Sequence, residues 1–422
     1  MPRYVFDIET NGLLDVLDTV HCIVLQNIDT KETHSATDNE YAGGIKIKDA
    51  LTMLEQAELV VGHNVLTFDI PALQKVYPSF KLTGTVRDTL LMSRLIWPDI
   101  HDRDYSRLTK DHDYIPVKLA GKHRLEAWGY RLGIYKGEFG KTTDWSAWSP
   151  EMQMYCEQDT NVTLALWQLV ESRNYSEQAL EIEHQFQQII AKQERSGIPF
   201  DVKKAQLLYA YFCGCRNEIE GKLQEVFPPV VSYTKTGKRK EKAFNPASRK
   251  QIAERLIEKY GWKPEFFTPT GAPEVSEEVL NKLDYPEAKL LSDYLMIEKR
   301  IGMLGEGKNA WLKCVDDQGL IHGSVITAGA ITRRCTHHSP NMAQVPAVGA
   351  PFGKECRELF YAPEGWVMLG ADASGLELRC LAHYMSAFDD GKYAHILLNG
   401  DIHTANQEAA GLPTRALAKR FI

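Results

Sequence analysis

The sequence predicts a mixed α/β chain in three parts. They are an α/β domain over residues 1–180, a helical region over 181–325 and an α+β remainder over 326–422. Three observations predict this. Short β-branched and aromatic runs alternate with helical periods through the first part. From Ser176 onward the period turns helical and strands disappear. Strand-like runs return with Ile321-His322-Gly323-Ser324-Val325-Ile326-Thr327 and Trp366-Val367-Met368-Leu369-Gly370-Ala371, each feeding polar, chemistry-bearing residues.

A chain of 422 residues has room for two or three cores. Its charged fraction of 25% and aromatic fraction of 10% are those of an ordinary globular protein. No apolar run reaches the ~18 residues of a membrane span, so no membrane partner is expected. The N-terminus enters a strand directly, without a signal-peptide pattern. The eight cysteines lack paired zinc spacing, Cys213-Gly214-Cys215 being the only close pair. They read as reduced thiols of a cytosolic compartment. A net charge of −7 argues against wholesale coating of nucleic acid but allows a local basic cleft.

The first strand is Tyr4-Val5-Phe6-Asp7-Ile8-Glu9, ending at Asn11-Gly12. Alternate side chains share a face, so Asp7 and Glu9 lie together, and paired carboxylates repel unless a cation intervenes. A second strand covers His21–Leu25, a helix Ile47–Glu58 and a third strand Leu59–Gly62. His63-Asn64 closes that strand. Asp69 opens a helix two residues before Pro71, a position that also suits a plain N-cap. Ser149-Pro150 starts another helix, which puts Tyr155 and Asp159 one turn apart on one face. The segment from His101 to Asp113 reads as a solvated charged loop, and Arg124–Leu132 as an amphipathic helix stopped by Gly133. Four acids from a strand and two helices converge only around divalent cations, and hard Mg²⁺ prefers such oxygen donors. Two ions about 3.5–4 Å apart clamp the attacking and leaving oxygens of a phosphodiester.

Val5-Phe6-Asp7-Ile8-Glu9-Thr10, Gly62-His63-Asn64 with Asp69, and Tyr155-Cys156-Glu157-Gln158-Asp159 resemble the three motifs of the DEDD exonucleases in their tyrosine-bearing subclass. Each motif is weak alone, whereas the ordered set is specific. The resemblance implies an RNase-H-like fold and a 3′–5′ exonuclease using two Mg²⁺ ions, with Mn²⁺ as substitute. Asp7 would touch both ions, Glu9 and Asp159 one, and Asp69 the other through water. Tyr155 would orient the attacking water.

The middle reads as helices Ser176–Arg195, Asp201 to about Val226, Ser248–Tyr260 and Ser276–Arg300. Lys235, Lys238, Arg239, Lys240 and Lys242 form a basic run around a Gly turn, read either as a solvated loop or as phosphate contacts. In the last part, Trp366–Ala371 is expected as a buried strand delivering Asp372-Ala373-Ser374-Gly375-Leu376-Glu377-Leu378-Arg379 into a helix.

These stretches resemble family A DNA polymerases, most nearly those of T-odd bacteriophages. The resemblance implies exonuclease, thumb, and the start of palm and fingers, working on a DNA primer-template, a single-stranded 3′ end and dNTP in the host cytoplasm. Asp372 would bind both polymerase Mg²⁺ ions and Ala373 would add its carbonyl. Glu377 would sit under the incoming sugar, and Arg334 would contact the primer end. His403, Arg415 and Lys419 would hold the triphosphate. The family usually has Gly where Arg333 stands. The thumb insertion that binds thioredoxin in the phage enzymes shrinks here to about 228–243, which argues against a thioredoxin partner. The sequence stops at Phe421-Ile422, before the family's second palm Asp. Polymerisation is therefore expected to need a C-terminal polymerase fragment, while the exonuclease is expected to act alone. The alternatives are a stand-alone exonuclease and a DNA-binding half that complements a separate polypeptide.

Overall fold

The central strand of the first sheet is also the one that carries the first acids. In this computed structural model, which describes all residues except 136–138, 142–143, 234–238, 416 and 419–422, the chain forms two units, Met1–Tyr361 and Ala362–Ile422. The first unit begins with strands β1 (Arg3–Thr10), β2 (Val20–Asn27), β3 (Thr33–Ala36), β4 (Leu59–Gly62) and β5 (Thr85–Asp88) in the order β3-β2-β1-β4-β5. β1 runs antiparallel to β2 and parallel to β4. Neighbours on both sides explain its apolar run, with Val5 and Phe6 fully buried.

The pleat sorts β1 onto two cores. Tyr4, Phe6 and Ile8 join the cluster with Leu54 of helix α1 (Ile47–Glu55) and Leu73 of α2 (Asp69–Val76). Val5 faces the other way, among Trp97, Trp128 and Leu166. Asp7 and Glu9 continue the Val5 face. That face is covered by α3 (Thr89–Ile96), α5 (Leu125–Leu132) and above all α6 (Pro150–Glu171), with α4 (Ile100–Leu108) between α3 and α5 in the chain. Ser149 caps α6 by accepting from Met152 N at 3.2 Å, and Pro150 takes the first helical position, where its missing N–H costs nothing. Gly133 ends α5 with φ +71°, a conformation that favours glycine.

Beyond α7 (Glu177–Ser196), helix α8 (Val202–Val226) packs against Ala288–Ile301. Arg216 ties the pair by salt bridges to Glu298 at 3.1 Å and Glu306 at 3.0 Å. In the second unit, helices span Leu376–Asp389, Lys392–Asn399 and Ile402–Ala409. No helix among the described residues is long and apolar enough to cross a membrane.

Four expectations change. The charged stretch after Asp99 is helix α4 as far as Leu108, with Asp111, His112 and Asp113 exposed in the loop beyond it, and Asp104 on the helix is only 1% exposed. The Arg131 fork reaches its carboxylate at 2.7 and 3.2 Å, and Gly121 N donates at 2.7 Å, which offsets the desolvation of the charge. The helix expected over Ser276–Arg300 is two, Glu277–Leu280 and Ala288–Ile301, and Pro286, which has no N–H for a helical ladder, lies in the break between them. The strand expected from Ile321 is split. Leu320–Ile321 pairs with Ile198–Pro199, and Ser324–Ile326 with Thr336–His338. Trp366–Ala371 is not a strand, and Val367 and Leu369 are largely exposed. A strand exists through its ladder, and no described residue pairs with this segment.

Candidate functional site

The acids of β1 meet α6 at Cys156. Its Sγ lies 3.7 Å from Asp7 Oδ2, and ligand atoms of Asp7, Glu9 and Cys156 all fall within 4.8 Å of one another. Cys22, directly across from Glu9 in the β1–β2 register, is buried beside Cys156. Burial pushes the Cys156 thiol well up, and Cys22, Asp7 and Glu9 reinforce this, so the sulfur keeps its proton. Glu157, next along α6, accepts from Ser35 Oγ at 2.5 Å and Tyr41 Oη at 3.1 Å, which seats the helix against β3.

Asp69 is the first residue of α2 and is 4% exposed. Its carboxyl is pushed up to about 7, chiefly by burial and then by the charges of Asp88 and Asp159, while the backbone N–H groups of Asp69 and Ile8 pull the other way. Asp69 therefore senses both the strand segment between Asp7 and Glu9 and Asp159 of α6. Asp159 is itself 3% exposed. The half-buried Tyr155 ring lies 5.5 Å from that of Phe139 and 6.4 Å from that of Trp145. Gly140 passes so close that a Cβ there would stand 3.1 Å from the phenol oxygen.

Sequence reasoning overlooks Cys156, Phe139, Trp145 and Asp88. Asp88 caps α3 and also accepts from Asn64 N at 2.9 Å and Leu66 N at 3.2 Å, holding the loop that delivers Asp69. His184 Nε2 of α7 accepts from Asp88 N at 2.8 Å. The Asp88-Thr89 pair at a strand end is a readable capping signal. Beside His63 and Asn64 opens a cleft of about 690 Å³, to which Arg94, Lys122 and Arg124 bring cationic side chains and Ile326–Ala330 a wall. The cleft suits an anionic chain.

The remaining expected residues are placed as follows. Arg334 is exposed in the first unit. In the second, Asp372 and Ala373 are exposed ahead of Leu376–Asp389, and Glu377 lies in that helix's first turn. His403 lies in Ile402–Ala409. The Arg415 fork is engaged by Asp401, at 2.7 and 3.1 Å. That pairing holds the Asp401 carboxyl well below its ordinary range. Lys419 lies outside the described residues, as do Lys235 and Lys238 of the basic run. Arg239, Lys240 and Lys242 are exposed on the hairpin strand Arg239–Lys242.

Known proteins match along nearly the whole chain. The profile of DNA polymerase family A matches residues 219–421. The DNA-directed DNA polymerases of Enterobacteria phage T3 and Escherichia phage T7 are each 37% identical over 528 aligned positions, covering 99% of this chain and 74% of theirs. The alignment is longer than this chain, so these relatives carry segments it lacks. DNA polymerase I of Pseudomonas aeruginosa is 29% identical over 371 residues, 84% of this chain and 37% of its own length. The POL domain of Pol1 from M. smegmatis, solved with DNA primer-template and dNTP, superposes with a TM-score of 0.65 at 18% identity over 98% of this chain and 66% of that one. The chain belongs to DNA polymerase family A, among DNA-directed DNA polymerases of the phage T3 and T7 type.

Proposed function

We propose that this chain serves DNA replication, with a 3′–5′ exonuclease built on an RNase-H-like domain at its N-terminus and template-directed nucleotide addition at its family A region. The place of action is the cytoplasm of an infected host. The observation that carries the nuclease reading is the meeting of β1 and α6, with Asp7, Glu9 and Cys156 within 4.8 Å. Asp7 and Glu9 on β1 and Asp159 on α6 come from elements far apart in sequence, and Asp69 is pushed to about 7 by burial among such groups. A pocket of this kind is stable in its ionised form only with divalent cations in it.

The donor set fits hard ions, because carboxylate oxygens dominate it. Asp7, Glu9, Asp69 and Asp159 would hold two Mg²⁺, and Mn²⁺ would substitute. Such ions supply a nucleophile at neutral pH and stabilise the leaving oxygen. Tyr155, steadied by Phe139 and Trp145, orients water toward the terminal phosphodiester. Arg94, Lys122 and Arg124 hold the backbone of a single 3′ strand in the adjoining cleft.

For nucleotide addition, Asp372 and the Ala373 carbonyl would hold Mg²⁺. Glu377, His403, Arg415 and Lys419 would hold the dNTP, and Arg334 the primer end. Triphosphate binding requires Arg415 to leave Asp401. The test is a 5′-labelled primer-template with Mg²⁺, with and without dNTPs. The reading expects shortening to nucleoside monophosphates without dNTPs. A primer that stays intact in Mg²⁺ and in Mn²⁺ contradicts the nuclease reading.

A further inference from the structure

Arg333 stands where the backbone least favours a bulky residue. Its φ is +63°, the left-handed region that suits glycine. It sits in a turn closed by Arg333 N to Ala330 O at 2.8 Å and by Ala330 N to Arg334 O at 3.0 Å. Its side chain reaches back to the nuclease domain, where Nε donates to the Leu95 carbonyl at 3.1 Å. Leu95 lies in the last turn of α3, whose C-terminal carbonyls lack intrahelical partners and mark the negative end of the helix dipole. Asp99, just beyond that end, also feels the Arg333 charge.

The same segment is tied down upstream. Val325 N donates to Glu194, Thr327 Oγ1 donates to Gln187, and Ala328 is buried in the core with Trp97 and Trp128. Ile326 also pairs with Thr336, so residues 327–335 form a loop held at its base by the hairpin. Beyond the buried Thr327 and Ala328, Gly329 and Ala330 line the cleft beside His63 and Asn64. Arg333 pins that loop's tip to α3, at the cost of a strained φ.

We infer that Arg333 is a positioning residue. Its hold on the Leu95 carbonyl fixes the 329–334 tip of the loop against α3, and so sets the width of the strand cleft at Gly329 and Ala330 and the placement of Arg334. The inference rests on the nuclease reading only for what the cleft carries, since the latch itself needs no DNA.

The test uses the full chain and the variants Arg333→Gly and Arg333→Gln. Glycine suits the backbone, so the first folds while losing the latch. Glutamine keeps an N–H donor for the carbonyl but carries no charge. Hydrogen exchange without DNA should show the amide of Ala330, which donates to the Arg334 carbonyl, opening roughly ten-fold faster in Arg333→Gly, and close to the parent rate in Arg333→Gln. On a single-stranded oligonucleotide in Mg²⁺, Arg333→Gly should raise KM about three- to ten-fold with kcat preserved, and Arg333→Gln should restore it. The salt dependence of KM should keep its slope, because no phosphate contact is lost. Unchanged exchange in Arg333→Gly overturns the latch. A slope smaller by about one, with glutamine behaving like glycine, also overturns it and makes Arg333 a phosphate contact instead. A parent chain that digests nothing counts against the nuclease reading, and exchange alone then decides the latch.

Discussion

Cys156 and Asp7, 149 residues apart, lie with Sγ 3.7 Å from Oδ2. At that distance the thiol of α6 donates a weak hydrogen bond to the first acid of β1, and the helix closes on the strand that opens the chain.

That contact predicts a role in holding Asp7. Cys156→Ala removes the donor and leaves a small gap. The midpoint for Mg²⁺ in oligonucleotide digestion should rise roughly ten-fold, as for outer groups that orient metal ligands. Cys156→Ser, which keeps a donor, should recover most of it. A Mg²⁺ titration of the three proteins checks this.

Asp69 predicts a pH effect on stability. Folded, its carboxyl titrates at about 7, against an ordinary value of 3.8. Between these values the folded state binds more protons than the unfolded state, so this group's contribution is greatest on the acid side and is lost as pH rises toward 7. In chelator, Asp69→Asn should therefore gain in Tm over the parent as pH climbs from 4 to 7. Mg²⁺ should narrow that gap. Thermal unfolding across this range, with and without Mg²⁺, is the measurement.

The buried pair on α4 and α5 predicts a large loss. Arg131→Met leaves Asp104 desolvated and without its fork, with Gly121 N still donating. Denaturant unfolding should show about 3–5 kcal/mol less stability. The double change Arg131→Met with Asp104→Leu should recover much of it, because the stranded charge is gone.

Much of the N-terminal α/β region is legible in the sequence because its signals are local. Asp7 and Glu9 follow from the two-residue period of one strand, and Tyr155 and Asp159 from one helical turn after a Ser-Pro start. Asp104 is not legible. Its partner Arg131 lies 27 residues on, and nothing near it distinguishes a buried acid from a solvated one. Cys156 shows the same limit, since a thiol inside a motif gains meaning only when β1 lies against it. Pro286 is a visible break inside an otherwise continuous helical period, so the division of Ser276–Arg300 is readable. The apolar run Trp366–Ala371 carries strand propensity, but a ladder depends on a neighbour that local sequence does not specify. Arg415 illustrates the reverse case. Its i,i+4 spacing to Lys419 suggests an anion clamp, whereas Asp401 takes its fork in this structure.

The measurement that bears most directly on the acidic pocket is digestion of a 5′-labelled single strand by the double variant Asp7→Ala with Glu9→Ala. Removing two facing carboxylates relieves repulsion, so Tm should hold or rise. Digestion in Mg²⁺ should fall by roughly a hundred-fold or more, since the ions that position the reacting groups lose their main ligands. Digestion at the parent rate by a folded double variant would contradict the account.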